Sequence, residues 1–340
     1  MPKSILILIT ARFFLATSTT TTGITPAGKI YKCVAIGSPC PTVAGLEGKA
    51  SIDPRIILPN DFCSPGYLPC YATEKECGER FVDSINLEDG EADRGAHPWQ
   101  VYMRNLTSNF SGSGVLLDAF HVLTIAHKVE GNRENPADIT VYLGVWDPTN
   151  LSDTQYSQVK EVIKNISFDN DTLMNDIAIL RLEHPIALGV QDNINTICLP
   201  EPETTFAGTS CMVSGWGQSA FQTFDAPTSP QKQVRVTITD PESCQRSFAR
   251  PTLLGNLVDY YLDQEGEICA GGEANKDACS QDGGSPLICP DSTGKLVVAG
   301  LVIWGKNCGQ PGVFGVYVNV PYYSKWVKLT IEKLNAKYIK

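Results

Sequence analysis

Two features on which many functional classes depend are missing from this sequence. Positive charge is in deficit, because 27 Lys and Arg residues face 37 Asp and Glu residues and the net charge is −10. Nucleic acids and anionic membranes are bound through basic patches, so this balance argues against both as partners. No apolar run of about 18 residues follows the N-terminal segment, and we therefore expect no transmembrane segment.

Cysteine, by contrast, is abundant and even in number. The twelve cysteines have spacings that suit no zinc site, which favours a disulfide framework formed in an oxidising compartment. We expect no metal, no cofactor and a secreted, extracellular protein. Residues 1–18 fit a signal peptide, since Lys3 precedes apolar residues and the small Ala16 and Ser18 suit a cleavage site. Five Asn-x-Ser/Thr sequons are candidate glycosylation sites: Asn105, Asn109, Asn150, Asn165 and Asn170.

The stretch from Cys279 to Cys289 reads Cys-Ser-Gln-Asp-Gly-Gly-Ser-Pro-Leu-Ile-Cys. It resembles the nucleophile loop of the chymotrypsin-like serine proteases, which has the same cysteine separation and carries a serine where this chain has Gly283. A glycine offers no hydroxyl, so position 283 supplies no nucleophile. Gln281 stands where the family has a glycine whose N–H contributes to the oxyanion hole. Ser285 is too far along the chain to replace the nucleophile.

Two further motifs follow the family's order. The run from His121 to His127, His-Val-Leu-Thr-Ile-Ala-His, resembles the segment that ends in the general base, which the resemblance places at His127. The run Asn175-Asp176-Ile-Ala resembles the segment whose aspartate orients that histidine. We interpret His127, Asp176 and Gly283 as relic catalytic positions that no longer form an intact catalytic site, and we call them the relic centre.

The resemblance also implies the remains of a trypsin-like pocket. Asp277 falls where such enzymes hold the carboxylate that binds an Arg or Lys side chain, and Trp304 and Gly305 match one wall. The remaining wall glycine is Gly312 or Gly315, and we take Gly315 as the candidate. Asp277, Trp304, Gly305 and Gly315 are therefore the expected binding residues, in a cleft that is either retained or collapsed.

The activation signal of the family is absent. Pro98-Trp99-Gln100 resembles the start of the protease domain, and counting back to the activation site reaches Ile85 and Asn86. No Lys or Arg precedes Asn86. In active relatives the freed amino terminus pairs with the aspartate before the nucleophile, here Asp282. Trypsin-like cleavage at the expected place cannot produce that terminus in this chain.

Residues Cys33 to Cys77 resemble a clip domain, the small disulfide module that precedes arthropod serine proteases and their inactive homologues. Tyr31 and Pro69 stand in place of two cysteines that the family pairs, and Ser111 and Lys128 likewise replace both halves of a bridge in the protease domain. An unrelated two-disulfide knot is the alternative for the N-terminal segment. The resemblance implies six pairs: Cys33–Cys63, Cys40–Cys70, Cys77–Cys198, Cys211–Cys289, Cys244–Cys269 and Cys279–Cys308.

These bridges bear on processing. A cut between Cys77 and Cys198, for example at Arg80, would leave the N-terminal module attached. Arg55, inside the loop closed by Cys40–Cys70, is another expected exposed cleavage point. Cleavage at either place would rearrange the module without releasing it.

Alternating apolar residues at 139–146, 233–239 and 296–304 favour an all-β architecture. The resemblance implies two packed six-stranded antiparallel barrels, and the apolar spacing after Pro321 predicts a C-terminal helix. The expected organisation is a signal peptide at 1–18, a Thr-rich stalk at 19–32, a degenerate clip-like module at 33–70, a linker at 71–89 and a serine protease-like domain at 90–340.

Three functions from different classes stay open. The resemblance favours a non-catalytic clip-domain serine protease homologue that binds proteins of an extracellular cascade, such as a clip protease and prophenoloxidase. It would act in melanisation either as a cofactor or as an inhibitory decoy, for instance in a venom. The alternatives are an active trypsin-like protease, against which Gly283 and Gln281 argue, and a protein that recognises or adheres to microbial surfaces.

Overall fold

The structure is a computed structural model of the chain. It describes residues 22–24, 30–35, 63, 67–71, 76–82, 85–106, 108–217, 229–274, 282–306 and 309–338. Several predicted residues lie outside this part: Cys40, Arg55, Asp277, Cys279, Gln281 and Cys308, together with the side chains of Cys70 and Asn109.

The described residues form strands and helices that we number in chain order. The strands are β1 Thr22–Ile24, β2 Ile30–Ala35, β3 Tyr67–Tyr71, β4 Gly90–Glu91, β5 Gln100–Asn105, β6 Ser108–Asp118, β7 His121–Thr124, β8 Thr140–Leu143, β9 Gln155–Lys164, β10 Ala178–Leu182, β11 Ser210–Gly215, β12 Lys232–Thr237, β13 Glu267–Gly271, β14 Pro286–Pro290, β15 Leu296–Gly305 and β16 Phe314–Asn319. The α-helices are α1 Pro241–Phe248, α2 Val258–Tyr261 and α3 Val320–Tyr338.

Strands β5 to β10 close into the first barrel. The order is β10-β7-β6-β5-β8-β9, and the paired strands are antiparallel. Strand β9 alternates between buried and exposed residues over much of its length, as a strand with one face in a core does, whereas all five residues of β10 are buried. Closure leaves this barrel without an unpaired edge strand.

The second sheet has the order β13-β16-β15-β14-β11-β12-β4. An antiparallel bridge between Ile238 and Ala270 joins its β12 side to its β13 side, so the sheet also curls into a barrel. The predicted pair of β-barrels is thus confirmed, with the short strand β4 as an addition. The alternating segments correspond to β8, β12 and β15.

One hydrophobic core lies between the two barrels and under the C-terminal helix. Trp99 and Ile177 come from the first barrel region, Leu301 comes from β15, and Val327 and Leu334 come from α3. The predicted helix is confirmed as α3, which begins at Val320, one residue before the predicted start at Pro321. Its apolar stripe is buried because it faces this core.

The N-terminal residues form a small three-stranded sheet of their own. Its order is β1-β2-β3, and Cys33 in β2 is bonded to Cys63. Strand β1 and the start of β2 lie within residues 19–32, where we expected a Thr-rich stalk. Thr22, Ile24 and Ile30 in these strands are β-branched residues, which favour strands. The division into stalk and module stays a prediction.

Four disulfides join described residues. They are Cys33–Cys63, Cys77–Cys198, Cys211–Cys289 and Cys244–Cys269, and no free cysteine occurs in the part of the chain that the structure describes. A bridge of this kind typically adds about 2–4 kcal/mol of stability by restricting the unfolded chain. The pairs Cys40–Cys70 and Cys279–Cys308 stay predictions. Among the described helices, none is long and apolar enough to cross a membrane.

Candidate functional site

The structure brings His127 and Asp176 together. His127 Nδ1 lies 2.6 Å from Asp176 Oδ2, and the backbone N–H of His127 donates to Asp176 Oδ1 at 2.8 Å. The Asp176 side chain is fully buried, whereas 22% of the His127 side chain is exposed. Two bonds from one buried carboxylate fix both the position and the orientation of the imidazole, which faces the surface from a rigid seat.

The turn before Asp176 is anchored from the C-terminal helix. Asn175 has a left-handed backbone with a φ of 56°, and its side-chain oxygen accepts a hydrogen bond from the Tyr323 hydroxyl at 3.0 Å. A non-glycine residue in this region is strained and needs support from its surroundings. Packing of α3 therefore holds the aspartate of the relic centre in place.

The loop at Gly283 is held between the two barrels. The Gly283 carbonyl accepts from the backbone N–H of Ser113 at 3.0 Å, and Gly284 N–H donates to the Val302 carbonyl at 2.8 Å. Gly284 has a φ of 82°, and a Cβ there would overlap the Ser113 carbonyl oxygen. This close approach of two backbones requires a glycine at 284. The loop keeps its docking although the nucleophile is absent.

Lys128 occupies the space above Gly283. A Cβ built on Gly283 would lie 2.6 Å from Lys128 Cε and 3.5 Å from its Nζ. The same side chain passes Gly112, where a built Cβ would lie 3.3 Å from Lys128 Cγ. Burial lowers the pKa of Lys128, although the carboxylates of Asp176 and Asp282 oppose this shift. The half-buried side chain of Lys128 thus fills the space that a serine side chain at position 283 would occupy.

This position of Lys128 is not predicted from the sequence, where the lysine is only one half of a lost disulfide. One signal in the sequence indicates where this side chain lies. Lys128 directly follows the base histidine and replaces a cysteine, so its long side chain is expected to follow the path of the lost bridge. Lys128 follows that path past Gly112, which is the neighbour of Ser111.

The segment where relatives are cleaved is fastened to the second barrel. Asn86 N–H donates to Asp93 Oδ2 at 2.6 Å, and Gln233 Nε2 donates to the carbonyls of Asn86 and Glu88 at 3.0 and 2.8 Å. Strand β4 then pairs with β12 through Glu91 and Lys232. Gln233 is buried, so these bonds are shielded from water. This segment is therefore held firmly against the second barrel.

Asp282 points toward the backbone of β11 and the residues that follow it. Its Oδ1 accepts from the N–H of Gly217 at 2.9 Å. Cβ atoms on Gly215 or Gly217 would collide with this carboxylate, so both glycines make room for it. Ser285 is completely buried nearby, in contact range of the same Gly215 position. Burial removes Ser285 from any ligand, in agreement with the expectation that it does not replace the nucleophile.

The candidate pocket walls face each other across β15 and β16. Gly305 pairs directly with Gly315, whereas Gly312 lies in a turn whose carbonyl accepts from the Ser247 hydroxyl at 2.6 Å. Gly315 is therefore the better candidate for the second wall. Trp304 is half-buried and its ring centroid lies 5.1 Å from that of Phe248. The floor of this pocket, at Asp277, lies outside the described residues.

The structure changes two expectations about modification. Arg80 is half-buried; its Nε donates to the Ala96 carbonyl at 2.7 Å and its guanidinium lies 5.3 Å from the centroid of Trp99. It is therefore not the exposed cleavage point that we expected. Asn165 is only 8% exposed, which opposes a glycan there, whereas Asn150 and Asn170 are exposed and Asn105 is half-buried.

A metal site is not evident in the described ranges, which contain no group of three or more His, Cys, Asp or Glu side chains placed to hold an ion. The relic centre and the neighbouring Lys128 offer one imidazole, one buried carboxylate and one amine. Because Asp176 is already bound by His127, this set is arranged for mutual hydrogen bonding rather than for coordination.

Comparison with known proteins adds an independent line of evidence. The trypsin family model matches residues 88–327. "Inactive CLIP domain-containing serine protease A3" of Aedes aegypti is 36% identical over 322 residues, which cover 88% of this chain and 66% of that protein. The chain therefore spans slightly less than two thirds of that relative.

Two other relatives cover more of their own length. "Inactive CLIP domain-containing serine protease A28" of Anopheles gambiae is 30% identical over 316 residues, which are 88% of this chain and 77% of that protein. "Phenoloxidase-activating factor 2" of Galleria mellonella is 33% identical over 274 residues, which are 74% of this chain and 87% of that protein.

Proposed function

Since this chain belongs to the trypsin family of serine proteases, we propose that it is a non-catalytic, secreted clip-domain homologue that acts by binding other proteins. Its partners are the proteins of an extracellular protease cascade, and its effect is on prophenoloxidase activation. The fold supplies a rigid surface, and the chemistry that active relatives perform on it is lost.

The observation that carries this proposal is the state of position 283. Gly283 has no nucleophile, and Lys128 lies where the side chain would be. At the same time, the docking of the loop, the His127–Asp176 pair and the barrel fold all persist. A protein that keeps the architecture of an enzyme while its reacting atom is absent is suited to recognition rather than turnover.

The name of the Galleria relative favours one direction of the effect. That protein is called a phenoloxidase-activating factor, and it is similar to this chain over 74% of the chain. We therefore propose a cofactor role, in which the protein promotes activation of prophenoloxidase by a clip protease. An inhibitory decoy, as a venom component would be, uses the same binding surface and differs in the sign of its effect.

The absence of peptidase activity is the first test. The purified protein should not hydrolyse an arginyl amide or ester above the buffer blank. Removal of a triad member leaves a rate enhancement of at most about 10³–10⁴-fold over the uncatalysed reaction in water, even with an intact oxyanion hole. A serine-directed inhibitor distinguishes a contaminating protease from the protein itself. Turnover that copurifies with the protein and is abolished by that inhibitor would contradict the proposal.

Reconstitution tests the role in the cascade. Rising concentrations of the protein are added to a clip protease and prophenoloxidase, and phenoloxidase activity is followed. A cofactor raises the rate in a saturable way, and prior treatment with the serine-directed inhibitor leaves this effect unchanged. The reduced and alkylated chain is the matched control, since it has the same composition without the fold. A fall in rate identifies a decoy, and no change at saturating concentration refutes both forms.

A further inference from the structure

A cavity of about 330 Å³ lies away from the relic centre, between the start of α3, strand β13 and the turn around residues 203–207. Its interior is apolar, because Phe206, Ile238 and Leu262 line it together with the Cys244–Cys269 disulfide. This volume is at the lower end of the range of protein sites that bind small molecules. None of the three relic positions lines it.

The charges around this cavity have one sign. Glu203 and Glu265 stand exposed at its rim and are the charged groups. Glu267 also lines the cavity with 5% of its surface exposed, and burial raises its pKa to about 8, so this carboxyl is neutral at pH 7. Among the described residues that line the cavity there is no Lys, Arg or His. The exposed ring of Tyr322 completes the rim. An apolar interior with an acidic and aromatic mouth is complementary to a long side chain with an apolar stem and a cationic end.

Hydrogen bonds fix the backbone that carries the two rim glutamates. Glu203 has a φ of 63°, and the hydroxyl of the next residue, Thr204, donates to the Glu201 carbonyl at 2.8 Å, which fixes the turn. On the other side, Asn319 Nδ2 donates to the Glu265 carbonyl at 2.7 Å. Both carboxylates therefore project from anchored backbone, which reduces the entropy lost when a cation is bound.

A hydrogen bond links Glu267, in the lining of the cavity, to a wall residue of the candidate trypsin-like pocket. The Trp304 indole N–H donates to Glu267 Oε1 at 3.4 Å, and Trp304 is the candidate wall of the trypsin-like pocket. Glu267 Oε2 accepts from the backbone N–H of Asp263 at 3.0 Å. The neutral Glu267 carboxyl therefore lies between the cavity and the Trp304 indole.

We propose that this cavity binds an arginine side chain of a partner protein. Arginine fits better than other cationic groups because a planar guanidinium can both pair with carboxylates and stack on an aromatic ring, and the rim offers Glu203, Glu265 and Tyr322. The inference deepens the proposed function, which rests on protein binding. Its test measures peptide binding alone, so its failure is distinguishable from a failure in the cascade.

The test uses the full-length protein and an acetylated, amidated Leu-Arg-Leu peptide, titrated by calorimetry. The matched peptide carries citrulline, which keeps the shape of arginine and removes its charge. We expect the arginine peptide to bind at least about tenfold more tightly than the citrulline peptide. The double variant Glu203→Gln/Glu265→Gln should lose this preference. The control Glu134→Gln/Glu332→Gln changes two exposed glutamates elsewhere by the same charge and should keep it.

A further variant separates this cavity from the relic pocket, which in active relatives also takes arginine. Asp277→Asn removes the carboxylate expected there. The proposal requires Asp277→Asn to retain the preference for arginine. Loss of the preference in Asp277→Asn with retention in Glu203→Gln/Glu265→Gln would assign the peptide to the relic pocket and overturn the proposal. Equal binding of the two peptides, or no binding at millimolar concentration, would overturn it as well.

Discussion

Replacing Glu267 by glutamine should remove a loss of unfolding free energy that the wild-type protein undergoes as the pH becomes alkaline. Burial is the main cause that raises the pKa of Glu267, to about 8, and the nearby carboxylates of Asp263 and Asp176 add to the effect. In the unfolded chain the same group titrates near its ordinary value of 4.5. Between these two values the unfolded chain has released a proton that the folded chain keeps. Stability therefore falls as the pH rises, by about 1.4 kcal/mol per pH unit.

His97 has the opposite effect over another range. It is buried, and desolvation together with the charge of Arg80 lowers its pKa from 6.5 to about 3, while its contact with Gln233 at 2.8 Å partly opposes this. Below pH 6.5 the unfolded chain binds a proton that the folded chain does not bind. Stability from His97 is thus complete above pH 6.5 and is lost as the pH falls toward 3.

The two slopes cancel where they overlap. Between pH 4.5 and 6.5 the gain from His97 and the loss from Glu267 are equal and opposite, so these two groups produce a plateau. Above pH 6.5 only the Glu267 slope is left. From pH 6.5 to 8 it amounts to 1.5 units at about 1.4 kcal/mol each, or about 2 kcal/mol.

Urea denaturation at pH 6.5, 7.2 and 8.0 measures this loss. We expect the free energy of unfolding of the wild type to fall by about 2 kcal/mol more than that of Glu267→Gln over this range. The exposed Glu134→Gln is the matched control and should follow the wild type. Because the comparison takes differences, all other titrating groups drop out. Parallel profiles of wild type and Glu267→Gln would show that this carboxyl is not held neutral.

Three other predictions follow from the site. Gly283→Ser alone should show no amidase activity, and measurable turnover would refute this prediction. The variant should also lose about 1 kcal/mol of unfolding free energy because Lys128 must move, and a double-mutant cycle should show that this loss vanishes in a Lys128→Ala background. Brief trypsin treatment should spare the bond after Arg80, and early cleavage there by peptide mapping would contradict its packing. In the protein secreted from eukaryotic cells, mass spectrometry should find glycan at Asn150 before Asn165, and a fully occupied Asn165 would show that this side chain opens.

Local motifs made the fold and the relic pair predictable. His127 follows and Asp176 precedes a run of apolar residues whose strand character is visible in the sequence, and the family's order then implies that the two residues meet. The apolar stripe of α3 was equally visible, since burial of one face leaves a period in the sequence. The segment that forms β15 was predicted as a strand, but it is buried on both faces over most of its length and is therefore a nearly continuous apolar run rather than an alternating one. These features depend on neighbours along the chain.

Features that depend on neighbours in space were not predictable. Lys128 lies above Gly283, far along the chain, and although the lost bridge indicates the direction of its side chain, the sequence does not show that this side chain reaches Gly283. Arg80 and Asn165 carry the local signals of a cleavage point and a glycan, but their burial is decided by packing against residues far along the chain. The acidic cavity likewise collects residues from four separate segments, none of which is distinctive alone.

The Cys77–Cys198 bridge has a mechanical consequence. Its ends are 121 residues apart in sequence, and the ring that they close contains every strand of the first barrel. A pulling force between the N-terminal module and the second barrel passes through the sulfur atoms and leaves the first barrel unloaded. The enclosed chain, roughly 400 Å when extended at about 3.3–3.6 Å per residue, is released only if the bridge is reduced. A partner that pulls on the N-terminal module therefore loads the junction between the barrels, while the first barrel, which positions His127, carries no force.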